Sequence, residues 1–439
     1  MKIGSFYVEE TRLSVSDKTV NNHETNDSLL GSYRVLDLTD DKGLLCGKIL
    51  GDLGADVIKI EKPGGDPSRN IGPFYGDVPD PEKSLSWFAF NANKRGITLN
   101  IESSDGRDIL RKLVKGADFV IESFPPGYMK SLGLDYASLT EINSRIIMTS
   151  ISPFGQTGPY RDYKGPDLAV WALSGVMSLT GDRDRAPVRP SFAQSNMHAG
   201  AGAAAASMVA LYWREITGEG QHVDVSMQEM STPAMLSTRL FWDLNRSNLQ
   251  RDGPYRVGLS AKTKQRLTWP CRDGFVCFIL VGGAIGAKAN KALVKWMDEE
   301  GMASDYLNNK DWVSFDQARV NQDEIDRISQ PIARFFLKQS KAELYSEAVK
   351  RHIQLYPVYT PEEIAKDKHL HARQFWVKVE HEELGTALTY PGAFAKLSET
   401  PCRIWRRAPL IGEHNEEIYQ RELNLSQEEL SALKQAGII

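Results

Sequence analysis

Cysteine is scarce: Cys46, Cys271, Cys277 and Cys402 are all there are in 439 residues. Only Cys271 and Cys277 are near neighbours, and their spacing is not that of a metal knuckle. The pattern excludes a disulfide framework and predicts reduced thiols in a cytosolic protein. Histidine is equally thin. The eight are dispersed, and the one close pair, His369 and His371, sits in a charged, helix-like stretch, so no bound metal is expected. Charge of one sign is also missing. A net charge of −4 and a pI near 6.1 argue against nucleic acid or an anionic membrane as partner. No apolar run reaches the ~20 residues a bilayer span requires; the most apolar stretch, Ala199 to Trp213, is Ala-rich and reads as a buried helix. The opening residues are polar, without the apolar core of a secretory leader, which predicts a cytoplasmic location. No G-x-S-x-G nucleophile elbow occurs. The one G-x-G-x-x-A run, Gly200 to Ala205, follows no strand, so its small residues point to close helix packing and not to a dinucleotide.

What is present is an ordinary globular composition, 41% hydrophobic and 25% charged, in a chain long enough for about two to three domains. Residues 1–31 read as a polar arm. After it, strands at Tyr33–Leu38 and Asp56–Glu61 flank a helix over Gly43–Leu53, a βαβ unit that favours a parallel sheet. Further strands are expected at Gly96–Asn100, Asp118–Glu122, Arg145–Ser150 and His222–Met227, giving a Rossmann-like α/β layer structure. From about Ser231 the alternation stops. Residues 241–265 read as loop, followed by a strand at Gly274–Leu280 and helices near Lys288–Glu300, Gln322–Lys338 and Lys341–Arg351. The expected division is an arm over 1–31, a large domain over 32–230 and 355–439, and a small α+β domain over 231–354.

One carboxylate stands out. Asp167 follows Gly165-Pro166 and heads an apolar, small-residue segment that contains Gly175 and Gly181. A carboxylate at a helix start, short of counter-charges, can act as a covalent nucleophile; it can also simply cap the helix. Basic residues gather near the expected strand ends: Lys42 in the first βα turn, Lys59, Lys62 and Arg69 around Gly64-Gly65, Lys94 and Arg95 at the third strand, and Lys130 after Pro125-Pro126-Gly127. Ligands of open α/β sheets sit outside the carboxyl ends of the strands, so a large phosphorylated ligand suits this arrangement. Solvated surface lysines are the alternative for each residue taken singly.

The order of motifs resembles the class III CoA-transferases, the family of formyl-CoA, carnitine and bile-acid CoA-transferases. The runs Leu53–Gly64, Asn93–Leu99, Asp118–Gly127 with Leu132–Leu134, Gly155–Gly181, Thr217–Met227 and Arg407–Asn415 match its blocks in sequence, over about residues 32–439. The resemblance implies that Asp167 attacks an acyl-CoA thioester, forms a mixed anhydride and then an aspartyl-CoA thioester, and passes CoA to an acceptor acid. It implies no permanently bound cofactor, coenzyme A entering as part of the substrate. Lys62 stands at the family's basic position near the nucleotide phosphates. Leu99, Ser123 and Phe124 match positions around the adenine and its linker, and Lys42, Arg69 and Lys130 complete the expected CoA-binding set. Two departures bear on phosphate binding: Gly43-Leu44 replaces a Gly-Pro, and Ser131, with Lys130 beside it, replaces a basic residue. Gly282-Gly283 matches a variable glycine loop.

The α-methylacyl-CoA racemases, a sister branch, use a His before this Asp and a second Asp downstream as acid and base. Here those positions are Pro166 and Asn196, neither of which can carry the proton. The resemblance further implies an interlocked dimer, either of identical chains or with a related chain, in which this one is the active or the less active subunit. Succinyl-CoA is a common donor in the family. Phe241, Trp242, Tyr255 and Trp171 suit a bulky or aryl-substituted acid as acceptor, unless they are core.

Overall fold

The computed structural model describes residues 28–257 and 263–439. Most of the expected arm, residues 1–27, lies outside the described residues. Leu30, at its end, is buried, and its N–H bonds to the Leu53 carbonyl at 2.9 Å.

Six strands form one wholly parallel sheet: β1 (Arg34–Leu38), β2 (Asp56–Glu61), β3 (Lys94–Thr98), β4 (Phe119–Glu122), β5 (Ile147–Ser152) and β6 (His222–Ser226). Their spatial order is β3-β2-β1-β4-β5-β6. This is the doubly wound arrangement, whose order reverses between β1 and β4. Period-2 alternation divides each strand between two cores. Leu36, Leu38, Ile58, Ile60, Val120 and Met148 face one side, under the helix Ser104–Val114 and the chain's last residues. Val35, Val57, Phe119, Ile121, Ile147 and Ile151 face the other, under the helices Leu44–Asp52 and Gln194–Thr217.

The charged pair at the start of β3 explains why that strand begins two residues earlier than its hydrophobicity suggests. Lys94 is buried on Asp37 at 2.8 Å, and Arg95 holds Asp56, Glu417 and Glu422 at 2.6–2.9 Å. β3 is an edge strand, and its free N–H groups are capped from the C-terminal motif. Gly96 N–H donates to His414 Nδ1 (3.1 Å) and Thr98 N–H to Asn415 Oδ1 (2.9 Å). That is a reason for the motif's existence, since an unpaired edge invites strand addition.

A third core gathers Trp269, Phe278, Trp296, Trp312, Phe335 and Phe336. It lies between a three-stranded antiparallel sheet (Thr268–Cys271, Gly274–Phe278, Leu355–Pro357) and the helices Gly283–Glu299, Gln322–Lys338 and Lys341–Arg351. Two expectations fail here. The stretch 241–265, read as loop, takes in the second half of a helix, Leu236–Asn245, and nearly all of the strand pair Tyr255–Val257 with Lys264–Arg266; Leu, Arg and Trp side chains form helix well enough without a buried face to mark them. The Ala-rich helix, expected to be buried, is so on one face only: over its 24 residues Ala199, Ala203, Ala204, Ala210 and Leu211 are buried while Val209, Tyr212, Trp213 and Ile216 are exposed on the other flank.

Candidate active site

Asp167 is not the cap of its own helix. Pro166 occupies the cap position, and Asp167 is the first residue of the helix Asp167–Leu173. Its side chain is therefore free to turn elsewhere. Oδ1 accepts two hydrogen bonds from one residue, the N–H of Ser195 at 3.0 Å and its hydroxyl at 2.7 Å. Oδ2 is out of contact with solvent yet accepts no hydrogen bond. Its nearest cation is Arg189 Nη1 at 3.4 Å. Leaving a buried carboxylate oxygen unpartnered costs stability, and such atoms mark functional sites.

Ser195 is the second residue of the long helix Gln194–Thr217, and Asn196 follows it. The Asn196 amide donates to Asp41 Oδ2 (3.0 Å) and to the Asp41 carbonyl (3.1 Å). Asp41 lies in the loop after β1, beside the switch point. Next to it, Asp40 N–H donates to Ser123 Oγ at 2.8 Å, and Ser123 in turn donates to Asp40 Oδ1 at 2.7 Å. Lys42 closes on the same Asp40 carboxylate. A continuous polar chain thus runs from the crevice between β1 and β4, through Asp41 and Asn196, to the start of the helix that holds Asp167. Burial, with Asp40 beside it, pushes the Asp41 carboxyl up. Two more buried atoms lack partners here, Trp171 Nε1 one turn beyond Asp167 and Asn196 Oδ1. Buried polar atoms without partners call for an explanation, and three of them lie on these two helices, which makes this a candidate site.

The predicted binding residues divide. Lys42 and Ser123 meet at the crevice, as just described. Lys62 is exposed and pairs with Glu102 at 2.8 Å, which also receives the Tyr128 hydroxyl; Tyr128 packs on Phe124 with ring centres 4.7 Å apart. Lys130 lies a turn further on, lining a cavity of about 310 Å³. These five stand at the carboxyl ends of β1, β2 and β4. Arg69 and Leu99 present no side chain there. Arg69 is fully buried, bonded to Glu61, Glu82 and the Pro409 carbonyl at 2.6–3.0 Å and stacked 3.8 Å over Trp87. Leu99 is core. Of the wider basic set, Lys59 (on Asp66), Lys94 and Arg95 are likewise occupied by internal carboxylates. Sequence cannot separate a solvated cation from one buried in an ion pair, because the partner is remote in the chain.

Two cavities flank this region. The larger, about 810 Å³, is lined by Leu179, Arg183, Met235, Arg239, Trp242 and Arg251 among others. Of the four aromatic residues expected to meet an acceptor, Trp242 lines it; Trp171 is buried beside Asp167. The smaller lies against the opposite face of the sheet. There Ser150 Oγ is 2.9 Å from His222 Nε2 and also meets the Glu122 carboxyl. Burial raises Glu122 to about 7 and pushes His222 down. Neither this cluster nor Ser195 was visible from sequence; Ser195 is 28 residues from Asp167 and carries no local signature. The glycine pair Gly282-Gly283 is taken up at the start of a helix, with Gly283 N–H on the Phe315 carbonyl at 3.1 Å. Among the described residues no three His, Cys, Asp or Glu side chains converge as a metal site, and no helix is long and apolar enough to cross a membrane.

Comparison with known proteins bears on this geometry. The model of CoA-transferase family III matches residues 30–415. The chain is 36% identical, over 88% of its length and 92% of the relative's, to the succinyl-CoA:(R)-benzylsuccinate CoA-transferase subunit BbsE of Thauera aromatica. It is 32% identical to the formyl-CoA:oxalate CoA-transferase of Streptomyces coelicolor, over 93% and 99% of the two chains. A crystal structure of a CAIB/BAIF family protein from Brucella suis superposes with a TM-score of 0.77 at 26% identity, covering 90% of this chain and all of that one.

Proposed function

We propose that this chain, which belongs to CoA-transferase family III and is an enzyme that transfers coenzyme A, does so through covalent bonds to Asp167. Its substrates are an acyl-CoA and a carboxylate. The observation that carries the reading is the asymmetry of the Asp167 carboxylate, one oxygen held by two donors and the other hidden from water with no hydrogen bond, Arg189 Nη1 standing 3.4 Å from it.

In the proposed sequence Oδ2 attacks the thioester carbonyl carbon and CoA leaves as its thiolate, giving a mixed anhydride. The thiolate then attacks Asp167 Cγ, releasing the donor acid and leaving an aspartyl-CoA thioester. The acceptor carboxylate attacks the same carbon, and the freed thiolate takes the acceptor's carbonyl from the second anhydride. Splitting the exchange in this way replaces one hard step by several easier ones. No proton is gained or lost overall, and no permanent cofactor is required. Burial supports the scheme, because an anhydride open to water would hydrolyse. Asn196 carries no titratable proton and spends its amide on Asp41, which leaves racemisation without a base at that position.

Lys42, Lys62, Ser123, Phe124 and Lys130 are proposed to hold CoA along the strand ends, while Arg69 and Leu99, expected in that set, are spent inside the protein. Succinyl-CoA is the proposed donor, as in the names of the benzylsuccinate and citramalate transferases that this chain resembles. For the acceptor we favour an acid with a second anionic group and a bulky or aryl body, a choice supported by Trp242 and three arginines around the larger cavity. A second chain is proposed to complete the assembly, the same or a related one, since two relatives are named as subunits.

Purified protein supplied with succinyl-CoA and a panel of carboxylic acids should form new acyl-CoA esters. Asp167→Asn should lower that rate by on the order of 10⁴-fold or more. A variant that moves CoA at the parental rate, or α-proton exchange without transfer, would sink the proposal.

A further inference from the structure

We infer that Ser195 is the oxyanion hole for the step in which CoA becomes bonded to Asp167, and that it fixes which carboxylate oxygen reacts. The inference rests on the covalent reading of Asp167 given above. Ser195 N–H and Oγ–H both point at Oδ1, at 3.0 and 2.7 Å. These are the distances at which donors stabilise a developing oxyanion. The N–H is one of those a helix leaves unpaired at its first turn, here on a helix of 24 residues whose positive end faces the carboxylate. Ser195 is completely buried, so neither donor has water as a competitor.

The two oxygens therefore have different roles. Oδ2, with no hydrogen bond to surrender, attacks the acyl carbon. In the resulting anhydride Oδ1 is the carbonyl oxygen of Asp167. When the thiolate sulfur bonds to Cγ, the carbonyl electron pair moves onto Oδ1, between the two Ser195 donors. Collapse restores the carbonyl, breaks Cγ–Oδ2, and Oδ2 leaves as an oxygen of the departing carboxylate. The same donors serve the acceptor's attack on the thioester, which passes through the same oxyanion. The first attack, at the acyl carbon, does not use them.

That asymmetry provides the test. Parent protein and Ser195→Ala are mixed with succinyl-CoA, acid-quenched, and weighed intact by mass spectrometry. The parent should carry mainly the CoA adduct. Ser195→Ala should still gain the succinyl adduct, form the CoA adduct roughly 100-fold more slowly, and lose kcat while KM for succinyl-CoA changes little. Infrared difference spectra of the parent's CoA adduct, with ¹³C-labelled aspartate, should show the thioester carbonyl at lower frequency than in a free alkyl thioester. Three results overturn the inference: a CoA adduct formed at the parental rate by Ser195→Ala, an equal loss of both adducts, or an unshifted carbonyl. A parent protein that turns over without either adduct instead overturns the covalent reading itself.

Discussion

Glu122 ends β4 with its carboxyl buried, accepting the Phe124 N–H at 2.7 Å and meeting Ser150. Burial outweighs those bonds and raises it from 4.5 to about 7. A carboxyl raised in the folded state keeps its proton while the unfolded chain loses its own, so between these two values the folded form binds the extra proton. Stability from this group is therefore highest below pH 4.5 and falls as pH rises toward 7. Glu122→Gln should remove that slope: the stability difference, parent minus variant, should decline by about 3 kcal/mol at most between pH 4.5 and 7 in urea unfolding. A difference independent of pH would refute the assignment. Asp167 and Ser195 belong to the same scale. Asp167 draws attention in the sequence because its setting is local, a Gly-Pro turn into an apolar helix. Ser195 does not, because its meaning lies in a partner 28 residues away.

At the level of elements, the long helix Gln194–Thr217 shows packing overruling propensity. Alanine in place of a mid-helix glycine ordinarily stabilises by about 1 kcal/mol. At Gly200 an added Cβ would stand 2.8 Å from Leu45 Cβ and 3.3 Å from the Cys46 amide nitrogen, both on the helix Leu44–Asp52. Gly200→Ala should accordingly destabilise, by roughly 1–3 kcal/mol, with the melting temperature as readout; a stabilised variant would contradict the close approach. This explains the glycine-rich run that imitates a dinucleotide fingerprint: Gly200 admits one neighbouring helix, and Gly202 admits Met230. The strands were readable from their alternation. The start of β3 was not, since Lys94 and Arg95 look like surface until Asp37 and Asp56 are brought to them.

For the molecule as a whole, the exposed flank of that helix is the feature most in need of a neighbour. Val209 (69% exposed), Tyr212 (72%) and Ile216 (62%) recur at helical spacing with Trp213 beside them. Contiguous apolar patches of this kind mark protein interfaces. We expect the protein, alone or with a related chain, to run as an assembly in native mass spectrometry. Tyr212→Glu and Ile216→Asp should weaken that assembly and leave the far-ultraviolet circular dichroism unchanged. Assembly unaffected by both would remove this flank from the interface.

The sequence by itself determined the doubly wound sheet and the family, and it singled out Asp167 as the carboxylate to propose as nucleophile. Each is written in contiguous runs whose periodicity or local turn chemistry is complete within a few dozen residues. Only the tertiary structure decided which cations are buried on internal carboxylates and what holds Asp167. Both depend on pairings between segments far apart in the chain, such as Arg69 with Glu82 and Pro409, or Ser195 with Asp167, and on burial that withdraws those pairs from water.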